Sequence, residues 1–422
     1  MDTFFTVKNE STETELVVNS SALQKQPKPV YWEIPQEPVM EGPDGIRYDF
    51  NCGIRVLLPE GNKKYRVIFL DQDTDTVMHD AEVTGGTYIT GIKKFFINYK
   101  LTITEKNKES PIMVHCYNAY GKLVVISFPE GAIGDSIGWF SYVDRFRQKH
   151  HCKLVCVVPS FIKELFQKQY QDIELLTAKE AEGLKPYATY YMGLFFGGDT
   201  DWQPVDFRQV GLHKTAAHIL NVSDEEIPPK ADLTRPSPVQ GKYCVISTQA
   251  SSQTKHWNNP FGWDETVQFL KANGYKVCCI NKDRNYGSGL IWNHIPYGVE
   301  DFTGDRPLQE RIDLIKDADF FIGLSSGLSW LAWCCKVPIV LISGFSLPSC
   351  EFYTPYRVIN YNVCTGCWDD RKENFDHSDF LWCPRHRGTP RQFECTFCIS
   401  SKQVVKTIKK IPSFKPLNGV TA

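Results

Sequence analysis

Apolar positions change their spacing along this chain, and each change marks a boundary. Over 46–120 short β-branched runs at 54–58, 65–70 and 87–104 are divided by turn signals such as Pro59-Glu60-Gly61-Asn62. That spacing predicts a small all-β domain, a barrel or a sandwich. From Lys122 the runs become continuous and of strand length. Residues 123–128 predict a buried strand, a helix opens near Asp135 with Ile137, Phe140, Val143 and Phe146 on one face, and 154–158 and 161–170 repeat the pair. After a proline-bearing stretch at 227–238 the same alternation returns. Strands over 243–247, 275–280, 320–323 and 338–342 interleave with helices over 263–272, 308–316 and 328–335, the first of these stopped by Gly274.

Strand, helix and strand in such short order imply parallel pairing, so the fold class is α/β, with two Rossmann-like domains in tandem and a ligand cleft between them. The expected divisions are a mobile, polar arm over 1–45, the β-rich domain over 46–120, the two Rossmann-like halves over 121–235 and 236–360, a cysteine-rich finger over 361–400, and a C-terminal helix and tail over 401–422. A chain of 422 residues exceeds what one core serves. Its 47 basic against 49 acidic residues, net charge -2, argue against a polyanion as main partner. No run approaches the roughly eighteen apolar residues of a membrane helix, and the first residues lack a signal peptide's basic and apolar regions, so a soluble cytoplasmic protein is expected. Fifteen cysteines, several inside apolar runs (Cys278, Cys279, Cys334, Cys335), fit a reducing compartment.

Candidate chemistry collects where strands end and helices begin. In the first half the loop 129–135 ends in Gly134-Asp135, glycine letting backbone approach a ligand and aspartate standing either as a helix cap or as a functional carboxylate. In the second half Ser247-Thr248-Gln249 follows a strand and Lys255-His256-Trp257 comes soon after; hydroxyls, amides and an ammonium suit a diphosphate, although a solvated lysine has the same appearance. Ser325-Ser326-Gly327-Leu328 is a second small-residue loop opening a helix, and Asp283 is placed to meet a ribose hydroxyl. Two acidic motifs suit Mn²⁺ or Mg²⁺. Asp71-Gln72-Asp73-Thr74-Asp75 falls in an expected hairpin turn, and Asp199-Thr200-Asp201 lies near the cleft, as a metal site or the lining of an acceptor channel. Cys364, Cys367, Cys383, Cys395 and Cys398 offer five thiols for the four places of a tetrahedral site, zinc or iron. Arg371, Arg385, His386, Arg387 and Arg391 in that segment also allow a zinc-ribbon interaction module, with nucleic acid as its partner.

Gly134-Asp135, Lys255-His256-Trp257 and Gly327-Leu328-Ser329 together resemble the heptosyltransferases of the type B glycosyltransferase fold (GT-B), over about 122–342. Ser325 and Ser326 depart from the aspartate and threonine usual in the lipopolysaccharide enzymes. The finger, with Cys364-Thr365-Gly366-Cys367-Trp368, Trp382-Cys383-Pro384 and Gln392-Phe393-Glu394-Cys395, is similar to that of bacterial autotransporter heptosyltransferases. This resemblance implies an acceptor-side first half and a nucleotide-sugar-binding second half. It also implies structural iron on Cys364, Cys367, Cys383 and Cys395, a dodecamer, and inverting transfer of heptose from ADP-D-glycero-D-manno-heptose to serines of an autotransporter adhesin passenger domain. In that reading Asp135 is the base and Lys255 compensates the diphosphate. Gly134, Ser247, Thr248, Gln249, Asp283, Ser325, Ser326, Gly327 and Leu328 then bind the donor, and no divalent metal takes part in catalysis. The rival enzyme is a lipopolysaccharide-type heptosyltransferase with a sugar acceptor.

Overall fold

The computed structural model describes residues 31–196 and 199–417. Eight strands come first: β1 (Met40–Glu41), β2 (Arg47–Asn51), β3 (Arg55–Leu57), β4 (Lys64–Asp71), β5 (Thr76–Thr84), β6 (Tyr88–Thr90), β7 (Tyr99–Glu105) and β8 (Met113–Cys116). The alternating elements of the first half follow as β9 (Leu123–Ser127), α1 (Ile133–His150), β10 (Lys153–Val157), α2 (Ser160–Phe166), β11 (Ile173–Leu176), β12 (Ala188–Tyr191), α3 (Phe207–Val210) and α4 (Thr215–Leu220). β9, β10, β11 and β12 pair in parallel, and the continuous apolar runs of β9 and β10 are those of strands covered on both faces.

The β-rich segment divides between two sheets instead of closing on itself as a barrel or sandwich. β4, β5, β7 and β8 form an antiparallel sheet in the order β5-β4-β7-β8, whereas β2, β3 and β6 extend the parallel sheet through β12, where Ala188 faces Phe50 and Thr189 faces Asn51. A buried polar network explains the junction. Asp49 receives a two-pronged ion pair from Arg55 (2.7 and 2.6 Å), Asn51 donates to Asp49 at 2.7 Å and to the Pro186 carbonyl at 2.9 Å, and Thr189 donates to Asn51 at 2.6 Å. Apolar spacing carries no trace of such a network, because its members read as polar surface.

The expected mobile arm also needs correction over its described part. Trp32 is buried and donates from Nε1 to the Ala181 carbonyl at 2.9 Å, and Tyr31 stacks on Tyr191 with ring centroids 4.4 Å apart. Residues 31–45 are therefore pinned to the first half; the remainder of the arm lies outside the described residues.

In the second half β13 (Tyr243–Ile246), α5 (Gly262–Ala272), β14 (Lys276–Cys279), the hairpin of β15 (Asn285–Ser288) and β16 (Ile291–His294), β17 (Glu300–Asp301), α6 (Leu308–Ile315), β18 (Phe321–Leu324), α7 (Gly327–Cys334), β19 (Ile339–Ile342) and β20 (Arg357–Val358) build a six-stranded parallel sheet in the order β17-β14-β13-β18-β19-β20, with the hairpin apart. The chain closes with α8 (Glu394–Phe397) and α9 (Ser401–Ile408). A full capping box between Ser400 and Gln403 starts α9, and its Val404 and Ile408 bury against the second half. No helix among the described residues is long and apolar enough to cross a membrane.

The halves meet where the mouths of α1 and α7 cross. A side chain on Gly134 would stand 2.7 Å from the Trp330 ring, and one on Gly327 would stand 2.9 Å from Ile133 Cβ and 3.2 Å from the Gly134 nitrogen. Gly134 is thus demanded by the Trp330 ring and Gly327 by the close approach of the α1 mouth. His213 and Glu226, joined at 3.1 Å, reinforce the contact: Glu226 accepts from the Tyr353 backbone at 2.6 Å, and the His213 ring lies 5.3 Å from that of Trp330.

Candidate active site

Asp135 is in the first turn of α1, which begins at Ile133 behind the uncapped Ala132, so the aspartate is a helical residue and not the cap. Aligned backbone dipoles favour its anion there. Burial works the other way and dominates, pushing the carboxyl up to about 6 while the Lys255 ammonium pulls it partly back. Lys255 ends a single turn of 3₁₀ helix, Gln253–Lys255, on the far side of the cleft. Its ammonium is held below the usual lysine range by burial, opposed by Asp135 and then by Glu351. The two groups expected to carry the chemistry are therefore near enough to influence one another, one from each half.

Around them the predicted donor residues separate into two kinds. At the mouth of α7, Ser326 Oγ is buried without a hydrogen-bond partner among the described residues, beside the glycine crossing. Ser325 is engaged with Ser343 and Ser346 at 3.1 and 3.0 Å, and Ser346 donates on to Glu351 at 2.9 Å. Glu351 in turn pairs with Arg357 at 2.7 Å. Leu328 packs on the core. Behind β13, by contrast, Ser247 and Thr248 are committed internally to Asn281: the Thr248 amide donates to its Oδ1 at 2.9 Å, and Asn281 Nδ2 donates to Thr248 Oγ1 at 2.8 Å. Gln249 and Asp283 hold each other reciprocally, both at 3.1 Å, on an exposed edge. His256 is buried, with Nε2 at 3.2 and 3.0 Å from the nitrogen and oxygen of Ala250, and Trp257 donates to the Ile399 carbonyl at 2.8 Å. Of the Lys-His-Trp run, only the lysine addresses the cleft; the other two fix its loop.

Asn281, Glu351 and a group of aromatic rings were not foreseen. Asn281 stands directly after the apolar run 275–280, a position that could have drawn notice; Glu351, in an irregular segment, gave no signal.

The acidic motifs have local duties. In the β4–β5 turn Asp71 accepts from the Asp73 amide at 3.0 Å and from Thr74 at 2.8 Å, and Asn98 donates to Asp73 at 2.8 Å. Asp199 accepts from the Asp201 amide at 2.8 Å, while Asp201 pairs with Lys93 at 3.1 Å.

The finger is built onto the second half along two lines. Gly366 donates to the Gly344 carbonyl at 2.9 Å and Trp368 to that of Phe345 at 3.1 Å, while Gln253 donates to the Phe380 carbonyl at 2.9 Å and Asn258 to Thr396 at 2.8 Å. Arg371 reaches the first half and pairs with Asp206 at 3.1 Å. Cys367, Cys383 and Cys395 are buried and Cys364 partly so, whereas Cys398 is exposed. Burial, followed by the charge of neighbouring thiols, pushes Cys367 and Cys395 up to about 12; for Cys395 those neighbours are Cys367, Cys383 and Cys364. The metal-capable atoms lying within 4.8 Å of one another among the described residues belong to Cys364, His386 and Glu394. Glu394 is already engaged, by Arg391 at 2.6 Å and by the Cys364 amide at 2.9 Å.

The finger's arginines are already paired: Arg385 with Asp370, Arg387 with Asp379 and Arg391 with Glu394 within the finger, and Arg371 with Asp206 of the first half. Cations so occupied make a poor surface for phosphates, which counts against the nucleic-acid module.

Two parallel α/β halves whose strand-to-helix loops meet at a common junction define a fold of the GT-B class. The family model "Glycosyltransferase family 9 (heptosyltransferase)" matches residues 208–375, and "Glycosyltransferase TibC, N-terminal domain" matches residues 42–107. The autotransporter heptosyltransferase TibC of Escherichia coli O78:H11 is 49% identical over 388 residues, spanning 92% of this chain and 95% of TibC. A crystal structure of TibC, described as a bacterial iron-containing dodecameric glycosyltransferase, aligns with TM-score 0.87 at 48% identity, over 90% of this chain and 98% of that one. A second, in complex with ADP-D-beta-D-heptose, aligns with TM-score 0.87 at 49% identity over the same shares. BimC of Burkholderia thailandensis, named an inactive autotransporter heptosyltransferase, is 39% identical over 89% of this chain and 88% of BimC. The chain belongs to the autotransporter heptosyltransferase family.

Proposed function

We propose that this protein is an inverting protein O-heptosyltransferase that moves heptose from ADP-D-glycero-D-manno-heptose to serine hydroxyls of an autotransporter adhesin passenger domain in the cytoplasm. The observation that carries this reading is that a half-buried carboxylate from one half, Asp135, and a half-buried ammonium from the other, Lys255, lie near enough to influence one another beside the mouth of α7. Asp135 accepts the serine proton as that oxygen attacks the anomeric carbon. A carboxylate is a weak base toward an alcohol, so proton transfer accompanies bond formation. ADP leaves from the opposite face. Lys255, the Ser326 hydroxyl and the backbone amides from Gly327 onward stabilise its diphosphate, with Gly134 and Leu328 shaping the crossing. Ser247 and Thr248 act mainly through Asn281, and Gln249 with Asp283 forms the outer edge that meets the ribose.

The finger holds a structural metal on Cys364, Cys367, Cys383 and Cys395, iron as described for TibC, with zinc as the alternative. Thiol chemistry supports this set over Cys364, His386 and Glu394, because Glu394 is spent on Arg391 and on backbone. Four thiolates leave no position for substrate, so the metal contributes folding energy and no catalytic step. A dodecamer follows the TibC precedent.

The reading is tested by calorimetry with ADP-heptose, UDP-glucose and GDP-mannose in turn: ADP-heptose should bind and the others should not. Preferential binding of UDP-glucose would replace the donor. Because helix mouths and side chains stabilise the leaving group, transfer should also survive EDTA present in the assay. A strict requirement for added Mn²⁺ or Mg²⁺ would bring Asp199 and Asp201 forward as metal ligands.

A further inference from the structure

Lys255 is surrounded in a way that its role in the reaction does not by itself demand. Its Nζ lies 5.3 Å from the ring centroid of Phe345, 5.6 Å from that of Trp368 and 5.2 Å from that of Phe375. The three rings also touch one another, with centroids 5.3 Å apart for Phe345 and Trp368, 5.6 Å for Phe345 and Phe375, and 5.3 Å for Trp368 and Phe375. They form a three-sided cup, and near-equal distances set the ammonium over its mouth. Trp382 buttresses the cup from behind, 5.9 Å from Phe345 and 5.0 Å from Phe375.

Two of the three rings belong to the finger. Trp368 directly follows Cys367, and its backbone donates to Phe345, so the third ring is tied to the same segment. The loop bearing Lys255 is bonded to the finger as well, through Gln253 and Ser252 to the Phe380 carbonyl at 2.9 and 3.1 Å.

We propose that Phe345, Trp368 and Phe375 are positioning residues for the transfer, an aromatic cup with which the finger holds the Lys255 ammonium oriented and unneutralised toward the departing diphosphate. The physical need is specific. Lysine is a point charge on a flexible four-carbon stem, and burial disfavours its cation. A carboxylate in contact would fix the stem but cancel the charge that the diphosphate must meet. The negative faces of aromatic rings attract the cation without cancelling it, and more strongly in a site shielded from water. The finger then does more than add stability: it supplies two walls of the donor site. This proposal rests on the assignment of Lys255 to the leaving group, and the test separates the two.

Phe375 in the full-length protein is replaced by mono-, di- and trifluorinated phenylalanine, which nearly preserve shape while draining the negative face of the ring. Turnover should fall stepwise, by roughly tenfold across the series, with the donor KM changing by less than about threefold, because the charge is used mainly as the diphosphate departs. Melting temperature and metal content should stay constant. In a Lys255→Met background the residual rate should be indifferent to fluorination. A flat series in the wild-type background, or a fall in rate that tracks melting temperature or metal content, would overturn the cup. Wild-type turnover in Lys255→Met alone would instead remove the assignment of Lys255 on which the cup depends.

Discussion

Asp135→Asn is expected to slow transfer by about 10²–10⁴-fold while leaving donor binding within a few-fold of wild type, since the change removes the proton acceptor and preserves shape. Because burial raises the Asp135 carboxyl to about 6, the wild-type rate should fall as pH drops through that value, the base becoming protonated. A bound diphosphate adds negative charge and should move this acidic limb upward, so the limb should lie higher in kcat than in the profile of kcat/KM at limiting donor. Stability has the opposite sign. A carboxyl raised from 3.8 to about 6 on folding disfavours its anion in the native state, so this group costs stability as pH rises between those values, and Asp135→Asn should melt higher than wild type at neutral pH. Slower turnover in a more stable protein is the signature of a base held under strain by burial. A variant that melts lower and turns over normally would return Asp135 to a structural role.

The second large effect belongs to the finger. Serine at Cys364, Cys367, Cys383 or Cys395 should lower metal content and destabilise the protein by several kcal/mol, because metal binding in such sites is folding energy. Exposed Cys398 should tolerate serine with little change. The finger also carries Phe380 and Thr396, the anchors of the segment 252–258, so metal loss should depress turnover along with stability. Elemental analysis of the purified variants, with melting curves and native mass, checks all of these. Stoichiometric zinc would correct the metal and keep the site. Folded, active and metal-free wild-type protein would remove the site.

Much of the architecture could be read from apolar spacing, and the physical reason is burial on both faces. Runs such as Leu123-Val124-Val125-Ile126 and Ile339-Val340-Leu341-Ile342, β-branched, short and alternating with helical patterns, read as central parallel strands between helices, and both are. β12 escaped because Ala188-Thr189-Tyr190-Tyr191 is short and half polar, and with it went the joint to β2 that merges the β-rich segment into the first sheet. In the candidate site, the meeting of Gly134, Gly327 and Lys255 near the junction of the halves was legible because all three lie in loops at the carboxyl ends of parallel strands, which converge in such folds. The commitment of Ser247 and Thr248 to Asn281 was not. A hydroxyl after a strand looks the same in sequence whether it faces a ligand or its neighbour. The aromatic cup was hidden for a related reason: Phe345, Trp368 and Phe375 come together only through the fold, and each alone reads as an ordinary apolar residue.

The central claim is the transfer itself, and it is tested most directly by incubating the protein with ADP-heptose and its adhesin passenger domain, then recording the passenger's intact mass and the anomeric configuration of the attached sugar. The account predicts heptose on serine, linked with the configuration opposite to that of the donor, and almost none with Asp135→Asn. Heptose appearing in a lipid-linked sugar and never in the protein, or a linkage that retains the donor's configuration, would contradict it.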